Sequence, residues 1–150
     1  MLELLIVIAI LGILLSVGFV FYQRALQNAR DQTRISDLSN IKIALEQYFA
    51  DDNFAYPTSD TNGIINDAIC PGSPLDWGSD PLTCGGFTYM KVLPGDPTAS
   101  PQYCYDSATG AAFNLYANME NANNANISTA VSPAGCPGSN TYNYQLENEM

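Results

Sequence analysis

Residues 2–53 read LELLIVIAILGILLSVGFVFYQRALQNARDQTRISDLSNIKIALEQYFADDN, and this stretch decides the fold. From Leu4 to Tyr22 it holds nineteen residues without a charge. As a helix rising about 1.5 Å per residue, that run spans about 28 Å, close to the hydrocarbon thickness of a bilayer. It is too long for an ordinary signal-peptide core, and no small-residue cleavage site follows it. Between Gly18 and Asn53 there is neither glycine nor proline, so nothing stops the helix at the membrane edge. Ile35, Leu38, Ile41, Leu45 and Tyr48 recur at spacings of three and four and form one apolar stripe on an otherwise polar helix. Residues 2 to about 52 therefore read as a single helix of about 75 Å. Its first half is apolar all round, and its second half has one face to bury. Asn53 and Pro57 end it.

After Tyr56 the texture changes. All nine prolines fall between Pro57 and Pro137. Four short alternating segments read as strands: Gly86–Val92, Gln102–Asp106, Ala111–Ala117 and Thr141–Gln145. The region from Ile64 to Ala68 reads as a short helix or turn, and Glu120–Asn140, rich in Asn, Ala, Ser and Gly, as an irregular surface loop. The expected class is α+β: a long N-terminal helix whose C-terminal half packs on a small antiparallel sheet. The divisions are an apolar segment 1–24, an amphipathic continuation 25–53 and a globular head 54–150.

Charge narrows the function. Five Lys and Arg face fifteen Asp and Glu, for a formal net charge of −10, and there is no histidine. Residues 1–50 balance to zero; the eleven later carboxylates meet only Lys91. An acidic head repels nucleic-acid phosphates, so no nucleic-acid partner is expected. Catalysis has little support: histidine, the commonest general base, is absent, as are the GxSxG and phosphate-loop motifs, and an enzyme reading would rest on scattered Asp residues. The chain reads as a non-enzyme. The sixteen aromatics read as core packing rather than a conducting stack.

Cys70, Cys84, Cys104 and Cys136 form no CxxC pair and have no histidine near them, which argues against zinc. An even count outside a membrane points to two disulfides. Three connectivities are open, and the sequential pairing, 70 with 84 and 104 with 136, is favoured because each bond closes a local loop. The three arginines after the apolar run would by themselves place the head in the cytoplasm; the cysteines place it outside.

Glu3 is the single charge at the head of the apolar run. An isolated carboxylate in hydrocarbon costs several kcal/mol unless neutralised or paired. It reads either as an interfacial carboxylate at the headgroups or as an assembly contact with a cation from another chain. The run LELLIVIAILGILLSVGFVFYQ resembles the N-terminal segment of type IV pilins and of the pseudopilins of type II secretion, with Glu3 and Gly12 at the family's spacing. Ile41–Ser59, IKIALEQYFADDNFAYPTS, resembles the end of the long helix and the "DNxxYPT" turn of major pseudopilins and many pilins. Tyr89–Pro97, YMKVLPGDP, resembles their "LPxDP" element. The resemblance covers roughly residues 1–59 and 86–117. It implies a homopolymer built through Glu3, Leu4, Leu5, Ile6, Ile8, Gly12, Leu15, Gly18 and Phe19, with Glu3 pairing with the terminal amine of a neighbouring copy. It also implies processing by a prepilin peptidase, N-terminal methylation, residence in the bacterial inner membrane with the pilus assembly machinery, then a surface filament with adhesion or motility roles.

The family glutamate usually follows four residues and a basic leader. Here two residues precede it, so a leader and two mature residues are expected upstream of Met1, which would also place the head outside. The family's helix-kinking proline is absent. Calcium, which takes about six to eight oxygens, would have only Asp51 and Asp52 as weak candidates, and these read better as surface charges, leaving no metal or cofactor expected. Asn126-Ile127-Ser128 is a glycosylation sequon in a loop. The leading expectation is the major pilin of a type IV pilus. The alternatives are the major pseudopilin of a type II secretion system, or a non-polymerising membrane protein with a binding head.

Overall fold

The computed structural model describes residues 2–51, 54–66, 70, 72–98, 102–128, 133, 135–136 and 141–148. Helix α1 runs unbroken over Leu2–Asp51, 50 residues, about 75 Å at the standard rise. Good helix formers fill it, and no proline lies inside it. The stripe read from the spacing is real in its second half: Leu38, Ile41, Leu45 and Tyr48 are buried and Ile35 is partly buried. Asn53, expected at the helix end with Asp52, lies outside the described residues. Past the end, Phe54 sits at φ 57° and the chain turns back towards the head.

Five strands follow: β1 Leu82–Cys84, β2 Phe87–Met90, β3 Cys104–Asp106, β4 Asn114–Ala117 and β5 Tyr144–Glu147. The four expected segments contain or overlap β2 to β5, but β1 was not foreseen. It is three residues long beside Pro81, too short to show alternation. The single expected sheet is instead two. β1 and β2 make an antiparallel hairpin, and β3, β4 and β5 make an antiparallel sheet in that order. Gly85 and Gly86 close the hairpin at φ 58° and 87°, the doubly left-handed turn that matches strand twist and that glycine enters without penalty. β4 is central and pairs Leu115 with Tyr105 on one side and Leu146 on the other.

Both sheets contribute to one core under α1. Leu38, Ile41, Ala44, Leu45 and Tyr48 from the helix meet Leu82, Tyr105, Phe113, Leu115 and Ala117. Aromatic rings fill the space: Phe49 stacks on Tyr56 with centroids 4.6 Å apart, and Tyr56 meets Phe113 edge-on at 4.7 Å. The segment expected as short helix or turn is a turn at 61–64 running into an antiparallel bridge between Ser59 and Ile65; residues 67–68 lie outside the described set. Disulfides join Cys70 to Cys84 and Cys104 to Cys136, the first tethering β1 and the second β3. In the chain-entropy account, closures of 14 and 32 residues stabilise by about 3 to 4 kcal/mol each.

Candidate assembly surface

The N-terminal half of α1 stands clear of the described head. Every residue from Leu2 to Ala25 is exposed. Sixteen of these are large apolar side chains, from Leu2 at 73 % to Tyr22 at 59 %. The mean hydropathy of the most apolar window is 3.1, and none of that window is covered. Burying one such side chain is worth about 1.5–3 kcal/mol, so covering the segment is worth on the order of tens of kcal/mol. A patch of this size does not stay in water. It requires lipid or other protein.

Glu3, Leu4, Leu5, Ile6, Ile8, Gly12, Leu15, Gly18 and Phe19 all lie in this uncovered half. Glu3 falls in the first turn, where the positive end of the helix dipole favours a carboxylate. It has no ion-pair partner among the described residues. Among the described residues no atom outside the local helix stands within 4 Å of where a side chain would begin at Gly12 or Gly18, so both leave smooth points on the rod. Ser16 returns its hydroxyl to the Ile13 carbonyl at 2.8 Å, which satisfies it without a partner.

At the junction of rod and head sits a group of charges. Arg34 is 1 % exposed and Asp31 0 %. The Arg34 guanidinium donates through Nε to Asp96 Oδ2 at 2.8 Å and through Nη2 to Asp96 Oδ1 at 2.9 Å. Nη1 donates to Asp31 Oδ1 at 2.9 Å and lies 2.9 Å from Glu120 Oε1. Arg30 reaches the same glutamate with Nε at 2.7 Å. Asp31 in turn accepts the backbone N–H groups of Glu120 and Asn121 at 2.9 and 3.0 Å. Three elements far apart in sequence are thereby clamped together: α1, the loop carrying Asp96, and the loop carrying Glu120. Nearby, Tyr103 donates its hydroxyl to Asp37 at 2.8 Å.

The ionisation of this clamp follows from its contacts. Burial works against the Arg34 charge, but Asp96 and Glu120 outweigh it and hold the guanidinium firmly protonated. The hydrogen bond from Arg30, helped by Arg34, holds the Glu120 carboxyl below its usual range. Burial pushes Asp37 up, and the Tyr103 hydroxyl only partly offsets it. Burial also pushes the Tyr103 hydroxyl up, and the adjacent Asp37 adds to the rise. Arg34 stands four residues before Leu38 and seven before Ile41, on the buried stripe itself. A charge on an apolar stripe is the sequence signal of a buried pair.

Other candidates are dispersed. Asp51 is exposed at the end of α1, and Asp52 lies outside the described residues. No group of three or more His, Cys, Asp or Glu that could hold a metal occurs among the described residues. Asn126 is exposed in a turn, its side-chain amide donating to Asn124 Oδ1 at 3.1 Å. An open groove runs past Ser59, Asp60, Asn66 and Asp106, but Asp60 is already engaged by the N–H groups of Asn62 and Ile64.

Over 103 residues the sequence is 32 % identical to the type II secretion system core protein G of Aeromonas hydrophila. The chain belongs to the type IV pilin-like family. The aligned stretch takes in 67 % of this pilin-like chain and 66 % of that relative, just under two thirds of the relative's length. No family model matches the sequence, and no solved structure matches it. The long helix with a small antiparallel sheet under its second half is the α+β pilin fold.

Proposed function

We propose that this pilin-like chain is a non-catalytic structural subunit of a filament. The bacterial inner membrane holds it through Leu4–Tyr22 before assembly, and that helix polymerises it afterwards. The observation that carries this is the division of α1: one half is sealed by its own head and the other is apolar and entirely uncovered. A membrane solves the exposure for a waiting subunit. The packed helices of many copies solve it for a polymer. Glu3 then fixes register by pairing with a cation of a neighbouring copy, a specificity device rather than a source of stability. Its partners are copies of itself, the assembly machinery and a prepilin peptidase that frees the amine for methylation.

Two filaments fit. A type IV pilus with adhesion or motility roles, ending as a surface filament, is favoured by the four cysteines and the Asn-rich loop. A type II secretion pseudopilus is favoured by the identity to a core protein G and by the YPT and LPGDP elements. Electron microscopy of sheared cell surfaces at native expression separates them. Long filaments lost on deleting the chain mark a pilus. Filaments seen only on overproduction, with secretion lost on deletion, mark a pseudopilus. A monodisperse monomer in every membrane mimetic, with no polymer from cells, overturns both.

A further inference from the structure

The charges along α1 divide into used and unused. Arg30, Asp31 and Arg34 are closed in the clamp, and Asp37 accepts from Tyr103. Lys42 donates to the Glu147 carbonyl at 2.9 Å and lies 3.9 Å from Glu46. The exposed residues of α1 from Ala25 to Ala50 are otherwise uncharged. What remains is Glu3, Arg24 and Asp51, all exposed and without an ion pair among the described residues.

These three do not have equal need of a partner. Glu3 lies at the positive end of the helix dipole, which already favours it. Asp51 lies at the opposite end, where carbonyl groups present partial negative charge, and the last turn holds no basic residue. A carboxylate there is repelled by its own helix, and a cation from outside relieves both. Beside this end Phe54 holds a left-handed backbone, φ 57°, costly for an aromatic residue, and remains 79 % exposed with its ring edge-on to Phe49 at 5.8 Å. The complement of this acidic, aromatic end occurs once on the rod: Arg24, next to exposed Phe21 and Tyr22. Lys91, also exposed, sits on the head and not on the rod.

We propose that in the filament Arg24 of one copy docks on the C-terminal end of α1 of a second copy, beside Asp51 and Phe54. This rests on the filament reading and deepens it. Arg24 and Asp51 are 27 residues apart, so the contact fixes a stagger of about 40 Å between parallel rods. Between the two positions Glu46 is the one exposed charge, 3.9 Å from Lys42, and the partly exposed Arg30 is already paired with Glu120, so an apolar rod lies along this stretch with little unpaired charge to desolvate. The contact makes head orientation and axial register one decision, because the clamp at Arg34 fixes the head to the same helix.

The test is charge reversal in cells, read as sheared filament yield. Arg24→Glu brings two carboxylates together and is expected to cut the yield about tenfold or more, and Arg24→Glu with Asp51→Arg to restore it to within about twofold. Arg24→Glu with Asp76→Arg has the same net charge but leaves the repulsion, so it should not recover. In filaments of an Arg24→Cys, Asp51→Cys chain, a bismaleimide crosslinker about 10 Å long, which spans the reach of the replaced arginine where a direct disulfide would not, should alkylate both thiols and give a ladder of covalent oligomers that neither single variant gives. Abundant wild-type filaments with an undiminished Arg24→Glu yield, equal recovery by both double variants, or no ladder would overturn the contact. Wild-type chains that never polymerise would overturn the filament reading itself.

Discussion

The two halves of α1 share one backbone and little else. From Leu2 to Tyr22 every turn is apolar and every side chain is exposed. From Arg30 to Ala50 most apolar residues fall on one stripe that is buried, with Ile43 the large apolar side chain left exposed. The lesson is that amount and arrangement of apolar residues specify different partners. A stripe at helical spacing can be satisfied by one small sheet, within one chain. An unstriped rod has no direction to prefer, so no single head can cover it. It needs a solvent of its own kind: lipid, or many identical rods.

The largest effect comes from separating the halves. A chain beginning at Ala25 keeps the whole clamp, both disulfides and the entire core. It is expected to be a water-soluble monomer whose unfolding is cooperative, checked by gel filtration and thermal circular dichroism. The full chain is expected to require detergent and to be the only one that polymerises. A truncated chain that still aggregates into filaments would show that the head carries the assembly contacts, and the division drawn between the halves would be lost.

Next comes charge. Arg34→Met strands Asp31 and Asp96 in the interior and is expected to cost about 3–5 kcal/mol of unfolding free energy, because an uncompensated buried charge remains. The apolar counterpart is Ile41→Ala, expected to cost about 2–5 kcal/mol through lost burial and the cavity left behind. Both have a partner experiment in the other half. Arg24→Met and Ile8→Ala touch nothing in the chain and should leave head stability within about 0.5 kcal/mol, measured by urea unfolding in the same detergent. If Ile8→Ala destabilised the head as much as Ile41→Ala, the exposed half would have to be folding against it.

How much of this was legible follows from where each signal resides. The helix, its length and its division are local, carried by hydropathy and spacing, and Leu38, Ile41, Leu45 and Tyr48 announced their burial by periodicity alone. The strands β2 to β5 were visible because Tyr, Phe and Leu alternate between turn residues. β1 was hidden because three residues beside a proline show no alternation, and its existence depends on Gly85–Gly86 folding it onto β2. The split into two sheets was equally unreadable, since strand order is decided by long-range pairing. The clamp was half legible. Arg34 stood on the buried stripe, but that its partners are Asp96 and Glu120, 62 and 86 positions away, follows only from the tertiary fold. The uncovered rod was legible as a surface, while its covering belongs to other molecules, which one sequence describes only through complementary features such as Arg24 and Asp51.

The smallest effect concerns pH and the rim of the clamp. Arg30 and Arg34 hold Glu120 below its ordinary value of 4.5 in the folded head. A carboxylate depressed in this way stabilises fully above its unfolded pKa, and the contribution fades as pH falls through the lower folded value. Asp37 acts oppositely: burial raises it above 3.8, so its ionisation weakens the fold, and that weakening is relieved as acid protonates it. Between about pH 6 and pH 3 the two trends cancel in part, and the wild-type curve should fall gently. Glu120→Gln should remove the falling component and leave a flatter or rising curve, whereas Asp37→Asn should remove the rising one and steepen the fall. Urea midpoints across that range measure both. A steepened curve for Glu120→Gln would mean that Arg30 and Arg34 do not hold its charge, and that the clamp closes around Asp31 and Asp96 alone.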